Sequence, residues 1–163
     1  MMRLHRGATL VELVITIVII SVAIAGVVGA FALITGRSAD PLNQTRAVEL
    51  AQLYMDEIIS KKYDDGTPQG GAPKYSGSCN IGPDSGEDRA SYNDVDDYDN
   101  TVNEPPESAE AALSGYSGFA VTVTVACAGD ELGLPVSEAK RIDLSITAPG
   151  GQVFSFSAYR ANF

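Results

Sequence analysis

Hydrophobic and polar positions divide the chain into four textures. From Leu13 to Gly36 no residue is charged, and Thr and Ser are the only polar side chains. A helix of about two dozen residues at ~1.5 Å rise spans the ~30 Å apolar core of a bilayer. Beyond it, Ala47, Ala51, Tyr54 and Ile58 recur at helical spacing, flanked by Val48, Met55 and Ile59. This pattern predicts an amphipathic helix whose apolar face packs on a sheet. Asp40 followed by Pro41 reads either as the start of that helix or as a kink within one long helix. Residues 63–115 are dominated by Gly, Pro, Ser, Asn and Asp, with little apolar periodicity, and read as a long connection. Alternation then sets in. In "FAVTVTVAC", Phe119, Val121, Val123, Val125 and Cys127 share one face; in "RIDLSITA", Ile142, Leu144 and Ile146 do. Pro149-Gly150-Gly151 and "QVFSFSAYR" follow, which predicts a closing β-hairpin. Helix first and antiparallel strands last make an α+β architecture.

Charge sharpens this division. The formal net charge of the 163 residues is -10. Twelve acidic residues and two basic ones, Lys74 and Arg89, fall within 63–115, so this segment carries a charge equal to the whole net charge. Phosphate backbones are bound through Lys and Arg, so a nucleic-acid partner for the head is disfavoured. Arg3, His5 and Arg6 precede the apolar run, and the positive-inside rule places that end in the cytoplasm and the head across the membrane.

Glu12 stands at the entrance to the apolar run. A carboxylate at the centre of a membrane helix costs on the order of 2.5–3.5 kcal/mol by insertion scales, and such residues usually have partners. A cleaved secretory signal is one rival reading, with small-residue sites at Ala23-Ile24-Ala25 or Ala30-Phe31-Ala32. Against it, Glu12 sits where the apolar core should begin, and the apolar stretch runs on through Ile34. A plain single-pass anchor explains the length but leaves Glu12 unexplained.

The order Gly7-Ala8-Thr9-Leu10-Val11-Glu12, after a short basic leader and before an unbroken apolar helix, resembles the processing site of type IV prepilins and pseudopilins. The resemblance implies that a prepilin peptidase cuts after Gly7, that the new amine of Ala8 is methylated, and that Glu12 guides assembly. The family usually places Phe or Met after the cut, where this chain has Ala8, and often a mid-helix Pro, where this chain has Gly26 and Gly29. Those glycines read as sites of close helix packing. The physical logic runs in parallel. An α-amine has an ordinary pKa of about 7.7–8.0, so Ala8 would be mostly cationic and strongly attracted to Glu12 in a low-dielectric setting. If the amine belongs to a neighbouring subunit, the pair fixes the axial stagger.

Longer stretches, "DPLNQTRAVELAQLYMDEIISKKYDD", "SYNDVDDYDN", "GDELGLPVSEAKRIDLSIT" and "FSAYRANF", resemble the MSHA-type minor pilin family MshD. What this implies is a pilin fold divided as leader 1–7, membrane and assembly half-helix 8–36, amphipathic half-helix 37–62, acidic loop 63–115 and antiparallel sheet 116–163. It further implies a single-pass protein of the bacterial inner membrane, head in the periplasm, later carried to the pilus and cell surface. Its partners would be other pilins through the N-terminal helix, prepilin peptidase and the membrane assembly platform. Two alternatives stay open: a type II secretion pseudopilin, and a membrane-anchored calcium- or carbohydrate-binding module that never polymerises.

Three further expectations concern chemistry. Cys79 and Cys127 are an even pair in an exported domain without a CxxC, which points to a disulfide. "NDVDDYDN" invites calcium, with Asp94, Asp96, Asp97 and Asp99 as ligands, but it fails the EF-hand pattern and reads better as a solvated acidic loop needing no cofactor. Catalysis is not expected, because the only histidine, His5, lies in the leader. Glu57 and Lys61 are expected to pair on the helix surface at i, i+4.

Overall fold

The computed structural model describes residues 9–37, 39–68, 70–108 and 111–163, with side chains 33–40 also left undescribed. The chain divides into two units, Met1–Leu42 and Asn43–Phe163. In the first, helix α1 spans Leu10–Arg37. It is apolar around its whole circumference, and every described side chain from Leu10 to Ala32 is exposed. Isolated proteins in water rarely present a contiguous apolar patch beyond a few hundred Å², so this surface needs lipid or other helices around it. The 23 residues Leu10–Ala32 are long and apolar enough to cross a membrane. The helix is continuous through Gly26 and Gly29, and among the described residues nothing lies within 4 Å of where a Cβ would stand at either position.

Helix α2, Ala39–Ser60, begins one residue before Asp40-Pro41. Ala47, Leu50, Ala51, Tyr54 and Ile58 form its buried face, as the spacing requires, whereas the flanking Val48 and Ile59 are exposed. This face packs on a three-stranded antiparallel sheet of order β1-β2-β3: β1 Ala120–Cys127, β2 Ala139–Thr147 and β3 Val153–Ala161. Register places Val123 opposite Leu144 and Leu144 opposite Phe156, so one face of all three strands is apolar. Val121, Val123, Val125, Ile142, Leu144 and Ile146 are buried there, and Phe154 and Phe156 of the edge strand are partly covered.

The acidic connection departs from expectation. Tyr92, Val95 and Tyr98 are buried in the same core, and residues 96–100 form a 3-10 helix. Residues 99–104 line the free edge of β1: Glu104 and Val121 exchange N–H to C=O bonds of 3.0 and 2.8 Å, and Val123 N–H donates to Thr101 C=O at 2.9 Å. Asp99 Oδ1 accepts the next edge donor, Val125 N–H, at 2.7 Å. The segment thereby satisfies a sheet edge that would otherwise be open to foreign strands. Cys79 and Cys127 form a disulfide with Cα atoms 6.2 Å apart. It ties the connection to the end of β1, and closing a loop of about fifty residues contributes roughly 4 kcal/mol in the chain-entropy account.

The expected Glu57–Lys61 pair is not made. Glu57 instead receives a bidentate clasp from Arg89 of the acidic connection, Nη1 to Oε1 at 2.7 Å and Nη2 to Oε2 at 3.0 Å, while Lys61 donates to Tyr92 C=O at 2.7 Å. Tyr98 Oη donates to Glu57 Oε1 at 2.8 Å, and the Arg89 guanidinium lies 4.7 Å from the Tyr98 ring centre and 5.6 Å from that of Tyr54. Burial works against the Arg89 charge, but the hydrogen bonds and charge of Glu57 outweigh it and raise its pKa. A largely desolvated, bidentate pair beats an exposed i, i+4 pair, which is worth only a few tenths of a kcal/mol. Removing one partner strands the other, so Arg89→Met should lower head stability by about 3–5 kcal/mol in chemical denaturation followed by tyrosine fluorescence. A loss below about 1 kcal/mol, the worth of a surface pair, would show that the clasp does not hold the connection down.

Candidate functional site

Two regions carry polar groups in unusual settings. The first is the start of α1. Thr9 precedes the helix, and its Oγ1 accepts the Glu12 N–H at 3.3 Å while its C=O accepts Leu13 N–H at 3.1 Å. Thr9 therefore caps the helix by satisfying one of the free N–H groups of the first turn. Within Leu10–Ala32 the polar side chains are Glu12, Thr16 and Ser21. Thr16 Oγ1 donates to Glu12 C=O at 2.7 Å and Ser21 Oγ to Ile17 C=O at 2.8 Å, so both hydroxyls are satisfied within the helix and present no unmet donor to lipid. The Glu12 carboxylate has no hydrogen-bond or ion-pair partner among the described residues and is exposed. Gly7 and Ala8 lie outside the described residues.

The second region is the stretch Asp94–Asp99, expected to be solvated. That expectation is overturned: Asp94, Asp96 and Asp97 are buried. Asp97 Oδ2 accepts the N–H groups of Asn93 and Asp94 at 2.8 and 3.1 Å, and Asp94 Oδ1 accepts those of Asp96 and Asp97 at 3.2 and 3.3 Å. Short carboxylates thus satisfy the backbone donors of a tight turn that would otherwise be buried unpaired. Asp96 Oδ1 pairs with Lys140, which is fully buried, donates to Tyr63 C=O at 2.6 Å and has Asp64 Oδ2 at 3.6 Å. Asp99 is engaged at the edge of β1. One carboxylate oxygen of each of Asp94, Asp96, Asp97 and Asp99 is thus engaged by backbone N–H groups or by Lys140, and among the described residues no group of three or more His, Cys, Asp or Glu is arranged to hold a metal ion.

Lys140 is one cation among the carboxylates of Asp64, Asp94, Asp96 and Asp97. Burial, and then the charges of Asp96 and Asp97, push Asp94 up to about 7, against the pull of Lys140. Burial also raises Asp96, opposed by its hydrogen bond and charge pairing with Lys140. Sequence reasoning missed Lys140, although its parity with Ile142, Leu144 and Ile146 places it on the inward face of β2.

A match to known proteins appears at the N-terminus. Residues 2–28 match the family model for the prokaryotic N-terminal methylation motif. This span includes Gly7, Ala8 and Glu12. Neither curated proteins nor solved structures gave a match.

A pH prediction follows from Asp94. Its folded-state pKa lies above the ordinary 3.8, so Asp94 itself is more protonated in the folded head than in the unfolded chain between about pH 4 and 7. The corresponding stability is fully present below about pH 4 and is lost as pH rises through about 7. Asp94→Asn keeps the acceptor oxygen and removes the charge, so it should flatten this decline and leave the head more stable than the parent at pH 8, as read by urea denaturation across the range. Parallel pH profiles for parent and variant would contradict the assignment. The methylation motif, the exposed apolar helix and the α+β head together support a type IV pilin-like protein, processed by prepilin peptidase and assembled with other pilins.

Proposed function

We propose that the chain is a minor pilin of an MSHA-like type IV pilus, anchored by α1 in the inner membrane with its N-terminus cytoplasmic and its head periplasmic. Prepilin peptidase cuts after Gly7, Ala8 is methylated, and the subunit enters or primes a filament used for surface attachment and movement. The role is structural rather than catalytic. The observation that carries this reading is Glu12, the one polar side chain of the apolar span left without a described partner while Thr16 and Ser21 are satisfied internally. A membrane anchor has no use for such a carboxylate; a polymerising subunit does, because the Ala8 amine of a neighbour supplies the missing charge. The MSHA assignment rests on the likeness of the head segments to MshD.

A type II secretion pseudopilin shares the leader, the helix and the order of elements, and is the second reading. Deleting the gene separates the two: loss of surface pili with normal exoprotein release supports the pilus, and the reverse supports the pseudopilus. Within either, Glu12→Ala should leave leader removal intact and sharply reduce recovery of the subunit in sheared filaments, measured by immunoblot. Recovery at the parental level would remove the assembly role of Glu12.

A further inference from the structure

The two edges of the sheet are finished differently. On the β1 side, residues 99–104 supply acceptors to the outward N–H groups of Val121, Val123 and Val125. Asn103 at φ 54° and Pro105-Pro106 then make the outer side of that segment a poor template for a further strand. On the other side, β3 pairs with β2 alone among the described residues. The ends of the β2–β3 ladder fix which groups are free. Ala148 N–H donates to Gln152 C=O at 2.8 Å and Asn162 N–H to Glu138 C=O at 3.0 Å, so the even-numbered residues of β3 bond to β2. Val153, Ser155, Ser157 and Tyr159 therefore direct their N–H and C=O groups out of the sheet.

The apolar layer over this open edge is also unfinished. Phe154 and Phe156 face the core but are only partly covered. Val48, Met55 and Ile59 share the flank of α2 opposite Glu57, and Val48 and Ile59 are exposed. Arg89 of the connection holds Glu57 on the β1 side, so the apolar flank overhangs β3. Charge varies along the edge. The one charged residue of β3, Arg160, stands directly opposite Lys140, a like-charge pairing that repels, and Arg160, Lys61 and Lys62 line one cleft at that end of the strand. The open edge is thus neutral and apolar along its length and basic at its C-terminal end.

We propose that this edge of β3 binds an extended segment of a different polypeptide, antiparallel to β3, with acidic residues at its N-terminal end and apolar residues at alternate positions after them. Main-chain bonds to Val153, Ser155, Ser157 and Tyr159 hold the segment as a fourth strand. Its apolar side chains lie beside Phe154 and Phe156 beneath the α2 flank, and its acidic end meets Arg160 and Lys61. A second copy of this chain does not fit. Its β1 edge is closed, and an antiparallel β3–β3 pair would run the two α2 helices in opposite directions. The two α1 helices would then depart from opposite ends of 22-residue helices about 33 Å long, where neither one bilayer nor one helix bundle receives both. This exclusion rests on α1 being a membrane and assembly helix; the open edge itself does not.

The test uses the full chain in detergent micelles with two labelled probe peptides, acetyl-DDVTVTVT-amide and acetyl-KKVTVTVT-amide. Binding is followed by fluorescence anisotropy, and the bound state by residue-resolved hydrogen exchange. Saturable binding of the acidic probe is expected, about threefold or more tighter than that of the basic one. The bound probe should slow exchange at the N–H groups of Val153, Ser155, Ser157 and Tyr159 about tenfold or more, and leave Phe154 and Phe156, already bonded to β2, unchanged. Ser157→Pro removes an edge donor that β2 does not use, so it should weaken binding about tenfold or more at an unshifted melting temperature. Arg160→Glu should narrow the preference for the acidic probe, a readout that does not depend on the proline variant folding. No saturable binding up to about 1 mM, equal affinity for the two probes, or protection without alternation along β3 would overturn the proposal. So would protection of the same four N–H groups without peptide in a concentration-dependent dimer, which would give the edge to a second copy. None of these outcomes bears on leader removal or on Glu12, so the assembly reading stands or falls separately.

Discussion

The apolar circumference of α1 has to be kept out of water, and the organisation of the chain follows from that constraint. Every described side chain from Leu10 to Ala32 is exposed. A bilayer meets the need before assembly and the helices of other subunits meet it afterwards. In either setting the backbone is satisfied internally and the hydroxyls of Thr16 and Ser21 bond back to the helix, which leaves Glu12 as the polar side chain of Leu10–Ala32 without a partner among the described residues. The membrane gives the carboxylate no partner of its own. In the proposed filament a cationic amine on an adjacent subunit supplies one, and at low dielectric such an attraction is strong.

Because α1 is committed elsewhere, about 120 residues must build a head from α2 and three strands, a small store of apolar area for its size. The acidic connection makes up the difference. Tyr92, Val95 and Tyr98 extend the core, residues 99–104 finish the sheet edge, and Arg89, Lys140 and the Cys79–Cys127 disulfide fasten the segment to α2, β2 and β1 respectively. Buried carboxylates in this arrangement serve as turn caps and as counter-ions to Lys140. Their mutual repulsion is the cost, and it appears as the raised pKa of Asp94.

Elements with a simple period were legible in the sequence. Alternation gave Phe119, Val121 and Val123 to the core and formed the β2–β3 hairpin, and helical spacing gave Ala47, Ala51, Tyr54 and Ile58. Burial in the acidic segment was harder to see, because a 3-10 turn has neither period. The trace it left was Tyr92, Val95 and Tyr98 at intervals of three, a signal obscured by the surrounding aspartates. Parity along β2 and β3 also places Lys140 and Arg160 inward, against the ordinary preference of such side chains for solvent. The Glu57–Arg89 clasp joins residues 32 apart in sequence, and no local pattern announces it. Glu12 was legible for the opposite reason: it breaks a pattern that is otherwise uniform.

The central claim is that the apolar helix is an assembly element released by cleavage next to a carboxylate. Intact-mass measurement and N-terminal sequencing of the protein purified from the membrane test it most directly. The account predicts a chain beginning at Ala8 and carrying one N-terminal methyl group, with the helix retained. A chain beginning at Met1, or one truncated between Ala23 and Ala32, would contradict it.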